Sequence, residues 1–541
     1  MTDGGNGGLR GTWTLLRSYL RRDRWMVLWW TLGGAVLYWS QAVSIPGLYA
    51  TQAELDRAAS SMGGNAAFIS MLGPARALDT VGGQVTFQIS AFGAILAGLM
   101  SMFLVGRHSR AEEESGRDEL LRSAAIGRRA PLVAALLVAV SANVVLGLLT
   151  AASLMTVRQE SPLSGMPLAI EDSLATGLGL TACGVVFAGI ALLAAQLTQS
   201  TRAMYGLVGA VIGVAYALRA IGDAGDGVLS WLSPIGWYQA MHPFSGVRWW
   251  PLLIMLAALA AGLTAAFSLF ERRDVGSGLL AARPGPATAG PRLRSGLGLA
   301  WRLQRGSVYG WSIALLLAGV SYGSIGNSVE DLLGNSEFAQ DAMAGGAGGN
   351  LIDGFYATAM VLLGLIAAGF AISSTLRPRG EEDVAHAESL LATGLSRQSW
   401  LGGHVLITVG GTMLALAAGG LGLGLGYAAS TGDGDAVVRY GLPTLAYIAP
   451  VLALSAVARL LYGLAPRLLA AAWVPLLFAV AVLLFGETLQ MPQWVRDVSP
   501  FAHLALAPAE DFRWLPVVVV AMVAAVISAA GQVAFRRRDI G

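Results

Sequence analysis

The chain has 541 residues, of which 55% are hydrophobic and 13% charged, with a mean hydropathy of +0.61. Soluble domains carry about 25% charged residues, so the composition excludes an ordinary globular protein and points to a membrane-embedded one. All 35 basic residues are arginine and Cys183 is the only cysteine, which excludes a Walker A loop, lysine Schiff-base chemistry, a disulfide framework and a cysteine metal cluster.

A bilayer core about 30 Å thick is crossed by about 20 apolar residues in a helix. Before the first such run lies segment 9–24, where Leu9, Trp13, Leu15, Leu16, Tyr19 and Leu20 alternate with Arg10, Arg17, Arg21 and Arg22. A basic, aromatic stretch abutting a hydrophobic run is the composition of an interfacial elbow helix rather than a nucleic-acid arm. No small-residue cleavage site follows, so the first run reads as a span and not a signal peptide. The first half then predicts spans at 25–43, 85–105, 131–155, 173–196, 203–221 and 251–270. After a Pro- and Gly-rich linker at 277–298 and a weaker elbow at 299–306, a second set follows at 308–325, 354–375, 400–427, 437–458, 468–486 and 515–535. Runs 203–221 and 308–325 are interrupted by glycine and polar residues. Gly209 with Gly213, and the glycines from Gly410 to Gly426, predict close helix packing.

The predicted fold is an all-α polytopic membrane protein of about twelve transmembrane helices. With both termini inside, 27 arginines fall on the cytoplasmic side and 8 outside, as the positive-inside rule requires. This reads as a multi-pass membrane protein with both termini in the cytoplasm.

The chain also repeats itself. Arg110-Ala-Glu112-Glu113-Glu114, with Glu119, Leu121 and Arg128, returns 269 residues later as Arg379-Gly-Glu381-Glu382-Asp383, with Glu388, Leu390 and Arg397. Phe270-Glu-Arg-Arg-Asp-Val-Gly276 mirrors Phe535-Arg-Arg-Arg-Asp-Ile-Gly541, and Arg248-Trp249-x-Pro251 mirrors Arg513-Trp514-x-Pro516, at an offset of 265. Residues 1–276 and 299–541 therefore read as two parallel six-span repeats.

Between the second and third spans of each half, loops 106–130 and 376–399 read as short cytoplasmic helices with an acidic first turn, Glu112 to Glu114 and Glu381 to Asp383. Leu120 with Leu121, and Leu390 with Leu391, add an apolar spot suited to a groove on another protein. Segments 222–250 and 487–514, each with a Ser-Pro pair, read as external re-entrant caps packed on protein. The external segments 44–84 and 326–353 correspond as well, Asn65-Ala-Ala-Phe68 resembling Asn335-Ser-Glu-Phe338. All 33 acidic residues fall in predicted loops or at span ends, such as Asp172 and Asp353, which argues against ion coupling. His404 is the one titratable candidate inside a span, and it reads as a packed histidine.

On these motifs, Arg-x-Glu-Glu-Glu-x-Gly-Arg-x-Glu-Leu-Leu at 110–121 with its partner at 379–390, the elbows and the Ser-Pro loops, the chain resembles an ABC-2-type exporter permease. The likeness is to the fused, two-half actinobacterial kind that exports polyketide antibiotics such as tetronasin or acts in multidrug efflux. It departs in the second half, where Gly116-Arg117 becomes Ala385-His386. The resemblance implies a homodimer of a separate ABC ATPase, which binds the ATP and Mg; this chain holds no cofactor or metal, binds no nucleic acid and is not itself an enzyme. It implies ATPase coupling through Glu112, Glu113, Glu119, Leu121, Arg128, Glu381, Glu382, Glu388, Leu390 and Arg397. It also implies a route between the halves lined by their second and fifth spans, with Gln84, Gln88, Phe92, Met100, Phe103, Tyr205, Tyr216, Phe355, Tyr356, Met360, Phe370 and Phe478. Such a lining suits a small lipophilic or amphipathic substrate. The competing classes are a proton-coupled twelve-span secondary drug efflux carrier, whose loop after the second span is shorter and basic, and a membrane scaffold.

Overall fold

The computed structural model describes residues 7–158, 161–273, 278–279, 288, 290–325, 351–383, 385–486 and 491–538. The chain forms two compact units, Met1–Pro284 and Gly285–Gly541, divided within 277–298. Most of that linker, Asn335 to Phe338 and Asp539 to Gly541 lie outside the described residues.

All twelve apolar runs are helical. The first unit contains α1 (Thr12–Leu48), α2 (Val81–Arg107), α3 (Ala130–Met155), α4 (Ile170–Leu197), α5 (Thr201–Ala224) and α6 (Pro251–Arg272). The second contains α7 (Gly296–Gly323), α8 (Leu351–Asp383), α9 (Arg397–Thr431), α10 (Ile448–Leu464), α11 (Val474–Phe485) and α12 (Trp514–Arg537). A short helix, Ala436–Thr444, leads into α10, and a 3-10 turn, Pro466–Trp473, leads into α11. Among the described residues there is no strand, and ten helices are long and apolar enough to cross a membrane. The two outside that set are α1 and α7. The interface-seeking Trp25, Trp29, Trp30 and Trp39 of α1, and Tyr309 and Trp311 of α7 together with Gly310 and Ser312, lower the apolar content of otherwise long helices.

Side-chain caps start several helices where the sequence places a hydroxyl. Thr80 accepts the Gly83 N–H of α2, Ser200 the Ala203 N–H of α5, Ser295 the Gly298 N–H of α7, and Ser396 the Ser399 N–H of α9. The elbows differ from expectation. Segment 9–24 is a 3-10 turn followed by the opening turns of the 37-residue α1, and 299–306 lies within α7, so neither is a separate helix. Nothing between Thr12 and Trp30 breaks a helix, and Leu15, Leu16 and Tyr19 are buried along one face of it.

The packing seams also differ. Gly209 and Gly213 have open space around them, so among the described residues of the first unit that pair makes no helix-helix contact. The close approach in the second unit is α7 against α9: a Cβ on Gly319 would lie 2.1 Å from the Gly419 carbonyl oxygen, and one on Gly422 would lie 2.2 Å from that of Leu316. The first unit makes an analogous contact of α3 with α4 through Gly147 and Gly177.

The Ser-Pro segment of the first unit is built into its helices. Ser233 caps the short helix Pro234–Gln239, whose Tyr238 hydroxyl lies 3.1 Å from that of Tyr38 and whose Gln239 donates to Ser90 Oγ at 2.9 Å. In the second unit the short helices Gln493–Arg496 and Pro500–His503 bury Phe501, stacked on Tyr447, and leave Trp494 exposed; residues 487–490 lie outside the described set.

Candidate functional site

The duplicated acidic loops lie at the arginine-rich end of each unit. In the first unit, α2 ends at Arg107 and a one-turn helix, Arg110–Glu114, follows. Gly116, at φ +72°, turns the chain into the helix Arg117–Ser123. The left-handed backbone at that turn suits glycine, which has no Cβ to clash.

Each of the three consecutive glutamates holds a different helix. Glu112, buried, accepts from Arg22 of α1. Glu113 accepts from Arg110 at 2.8 Å and, through both oxygens, from Arg273 at the end of α6, at 3.1 and 2.5 Å. Arg273 also donates to Gln196 of α4 at 2.7 Å. Glu114 accepts both the backbone N–H and the hydroxyl of Thr201, at 3.1 and 2.5 Å, at the start of α5. The carboxylates of Glu112 and Glu113 are strong anchors because they are largely shielded from water, whereas the bonds of Glu114 are exposed.

In the second unit Glu381 to Asp383 do not open a short helix. They form the last turn of α8, where the helix dipole disfavours negative charge. Arg377 pairs with Glu381 four residues on, and Arg379 pairs with Glu382 and Asp383, which offsets that cost and carries the helix through Pro378. Among the described acids of this turn, Glu382 reaches beyond α8 and the tip that follows: Arg538, after α12, and the Tyr462 hydroxyl of α10 each lie 2.5 Å from its Oε1. Ala385, at φ +57°, makes the turn that Gly116 makes, and its N–H donates to the Glu382 carbonyl as that of Gly116 does to Glu113. The short helix His386–Leu391 follows.

The expected coupling residues thus separate into two groups. Glu112, Glu113, Glu381 and Glu382 are engaged within the chain, whereas Glu119 and Glu388 are exposed on the two tip helices. Leu120 is 74% exposed, Leu390 is half-buried, and the Leu121 side chain lies outside the described set. Arg128, exposed, lies over the Phe270 ring, and Arg397 donates to the Arg538 carbonyl at 2.8 Å.

Sequence reasoning missed a buried polar cluster beside the first loop. Asp23 of α1 and His108, which ends α2, are both fully enclosed and 2.5 Å apart, and Tyr19 stacks on the imidazole at 3.9 Å. Asp23 is the lone acid among the arginines of 9–24, and that was the available signal. His404 is packed as expected, with Nδ1 2.9 Å from Gln304 and its ring edge-on to Trp400. At the opposite end of the first unit, burial beside Arg76 and Arg248 holds the His242 imidazole down at about 4.

The expected pathway residues separate in the same way. Gln84, Met100, Tyr356, Met360 and Phe370 are enclosed in the cores of their own units, where they fill space rather than line a surface. Tyr356 donates to the Gly323 carbonyl, and the half-buried Tyr216 donates to that of Met71. Gln88 pairs with Gln41 at 2.5 Å. Phe92 is 38% exposed, and Phe103, Tyr205, Phe355 and Phe478 are half-buried. Among the described residues no group of histidine, cysteine and acidic side chains could hold a metal ion.

Two comparisons bear on this architecture. The family model described as the multidrug efflux system permease Rv1217c, C-terminal domain, matches residues 14–271 and 293–536, one stretch in each unit. The multidrug efflux system permease protein Rv1217c of Mycobacterium tuberculosis is 38% identical over 536 residues, which cover 98% of this chain and 96% of that protein. The chain belongs to this family of multidrug efflux permeases, and it is an all-α, multi-pass membrane protein.

Proposed function

We propose that this chain is the membrane-spanning subunit of an ATP-driven ABC exporter that moves lipophilic or amphipathic compounds out of the cytoplasm or inner leaflet. The observation that carries the reading is the full-length kinship with a multidrug efflux permease. The drive is assigned to a separate ATPase homodimer holding ATP and Mg, because a chain without lysine has no phosphate-gripping Walker A loop. The exposed tips Arg117–Ser123 and His386–Leu391, one per unit, support two equivalent docking points. Arginine placement supports both termini in the cytoplasm, on the side of these tips. Phe92, Phe103, Tyr205, Phe355 and Phe478 supply the apolar, uncharged surface that suits such substrates.

The test is purification of the tagged chain with its ATPase, followed by the double variant Glu119→Arg with Glu388→Arg. The expected result is two ATPase copies per chain, and loss of stimulated ATP hydrolysis in a variant that elutes and melts like the parent. Stimulation unchanged by the charge reversals removes the docking assignment. Efflux that survives ATP depletion but stops when the proton gradient is dissipated replaces the ABC reading with a proton-coupled carrier.

A further inference from the structure

The acidic loop of each unit is bonded to the end of that unit's last helix, and nothing in an exporter's general scheme requires that bond. Glu382 is Glu113 displaced by 269 residues, and Arg538 is Arg273 displaced by 265. Both arginines sit at the C-terminal cap of a sixth helix, α6 or α12, where the helix dipole favours a cation. Both lie over the phenylalanine three residues earlier, Phe270 at 5.7 Å and Phe535 at 5.3 Å. Both also reach the last turn of the fourth helix of their unit. Arg273 donates to Gln196 Oε1 at 2.7 Å, and Arg538 donates to the Tyr462 carbonyl at 2.8 Å. The pairs are nearly water-free, with side-chain exposures of 4% and 9% for Arg273 and Glu113, and 15% and 4% for Arg538 and Glu382.

We propose that Glu113–Arg273 and Glu382–Arg538 are the links through which displacement of each docking tip is carried to the fourth and sixth helices of its unit. The inference rests on the proposed docking of an ATPase at the tips. The mechanics follow from the geometry. Between tip and acid lies one left-handed residue, Gly116 or Ala385, so a push on the tip reaches the acid within a single turn. A desolvated guanidinium–carboxylate pair resists separation, and the fourth-helix contact of the same arginine makes three elements move as one. Glu113 and Glu382 are positioning residues; neither needs to touch the substrate.

The test uses the permease–ATPase complex in proteoliposomes, with ethidium as transported probe and ATP hydrolysis measured in the same vesicles. Glu382→Gln, Arg538→Gln and the conservative Arg538→Lys are each expected to retain bound ATPase and ATP turnover. Ethidium moved per ATP falls roughly tenfold in each. Combining Glu382→Gln with Arg538→Gln gives no further loss, because both remove one link. Glu113→Gln repeats the effect in the first unit. Parallel loss of hydrolysis and transport at a constant ratio, which a purely structural pin produces, overturns the proposal, as do additive losses in the double variant. Failure of the parent chain to bind or stimulate an ATPase is a different outcome and strikes the proposed function itself.

Discussion

The two units carry the same loop and close it differently. In the first, Glu112, Glu113 and Glu114 hold α1, α6 and α5 in turn. In the second only Glu382 reaches beyond α8 and its tip, while Glu381 and Asp383 pair with arginines of their own helix. The bond both units keep runs from the middle acid to the arginine after the sixth helix. A duplicated sequence can therefore keep one long-range bond while its flanking acids exchange tertiary partners for local ones, with almost no change in composition.

The largest test of the difference concerns backbone seams. Gly319→Val in the second unit drives a side chain into the Gly419 carbonyl, a clash that only backbone movement relieves. The expected loss is at the upper end of the roughly 1–3 kcal/mol typical of overpacking, or more. Gly213→Val in the first unit, where the sequence places a small-residue motif, meets open space and leaves the melting temperature of the detergent-purified protein unchanged. Equal melting of the two variants would contradict the seam assignment.

Next in size is the contrast between flanking acids. Glu112→Ala removes a buried carboxylate and leaves the partly exposed Arg22 of α1 without this partner, and is expected to cost about 1–2 kcal/mol. Glu381→Ala removes a pair within one helix, together with a contact to the exposed His386, and is expected to cost about 0.5 kcal/mol. Chemical denaturation of both variants in one detergent ranks them, and a larger loss at Glu381 would reverse the comparison.

A smaller effect lies at the turn itself. Ala385→Gly relieves a left-handed alanine and is expected to stabilise the second unit by about 0.5–1 kcal/mol, and Gly116→Ala to destabilise the first by as much. Matching thermal shifts of opposite sign are the expected readout; a stabilising Gly116→Ala would show that the two turns are not equivalent.

The smallest expected effect is a pH dependence at His242 of the first unit. His242 is held at about 4 when folded against 6.5 in the open chain, so protonation favours unfolding. Its contribution is complete above pH 6.5 and is lost as pH falls toward 4. His242→Asn should flatten that slope between pH 6.5 and 5.5, and an unchanged slope would place its origin elsewhere.

The helices were legible in the sequence because a bilayer selects long apolar runs whatever their neighbours, and all twelve expected runs are helical. Their edges were less so. The break expected after Arg24 is missing because no residue there stops a helix, and α8 extends through Pro378 because Arg377 and Arg379 pair with the acids that follow. In the loops, periodicity and repetition singled out acids and leucines without saying which faced inward. Glu113 and Glu119 look alike in a sequence, yet one is fixed by an arginine 160 residues away and the other is exposed.

Composition and pattern by themselves determined the class of molecule, the twelve helical runs, the repeated motifs and the absence of lysine, since each depends on counting residues or on spacing along one chain. Tertiary structure alone decided which glycines form seams, which aromatic residues keep an accessible surface, and which acids of the repeated loop anchor helices rather than stay exposed. Those outcomes depend on groups brought together from distant parts of the chain, and burial sets the strength of an ion pair as much as its chemistry does.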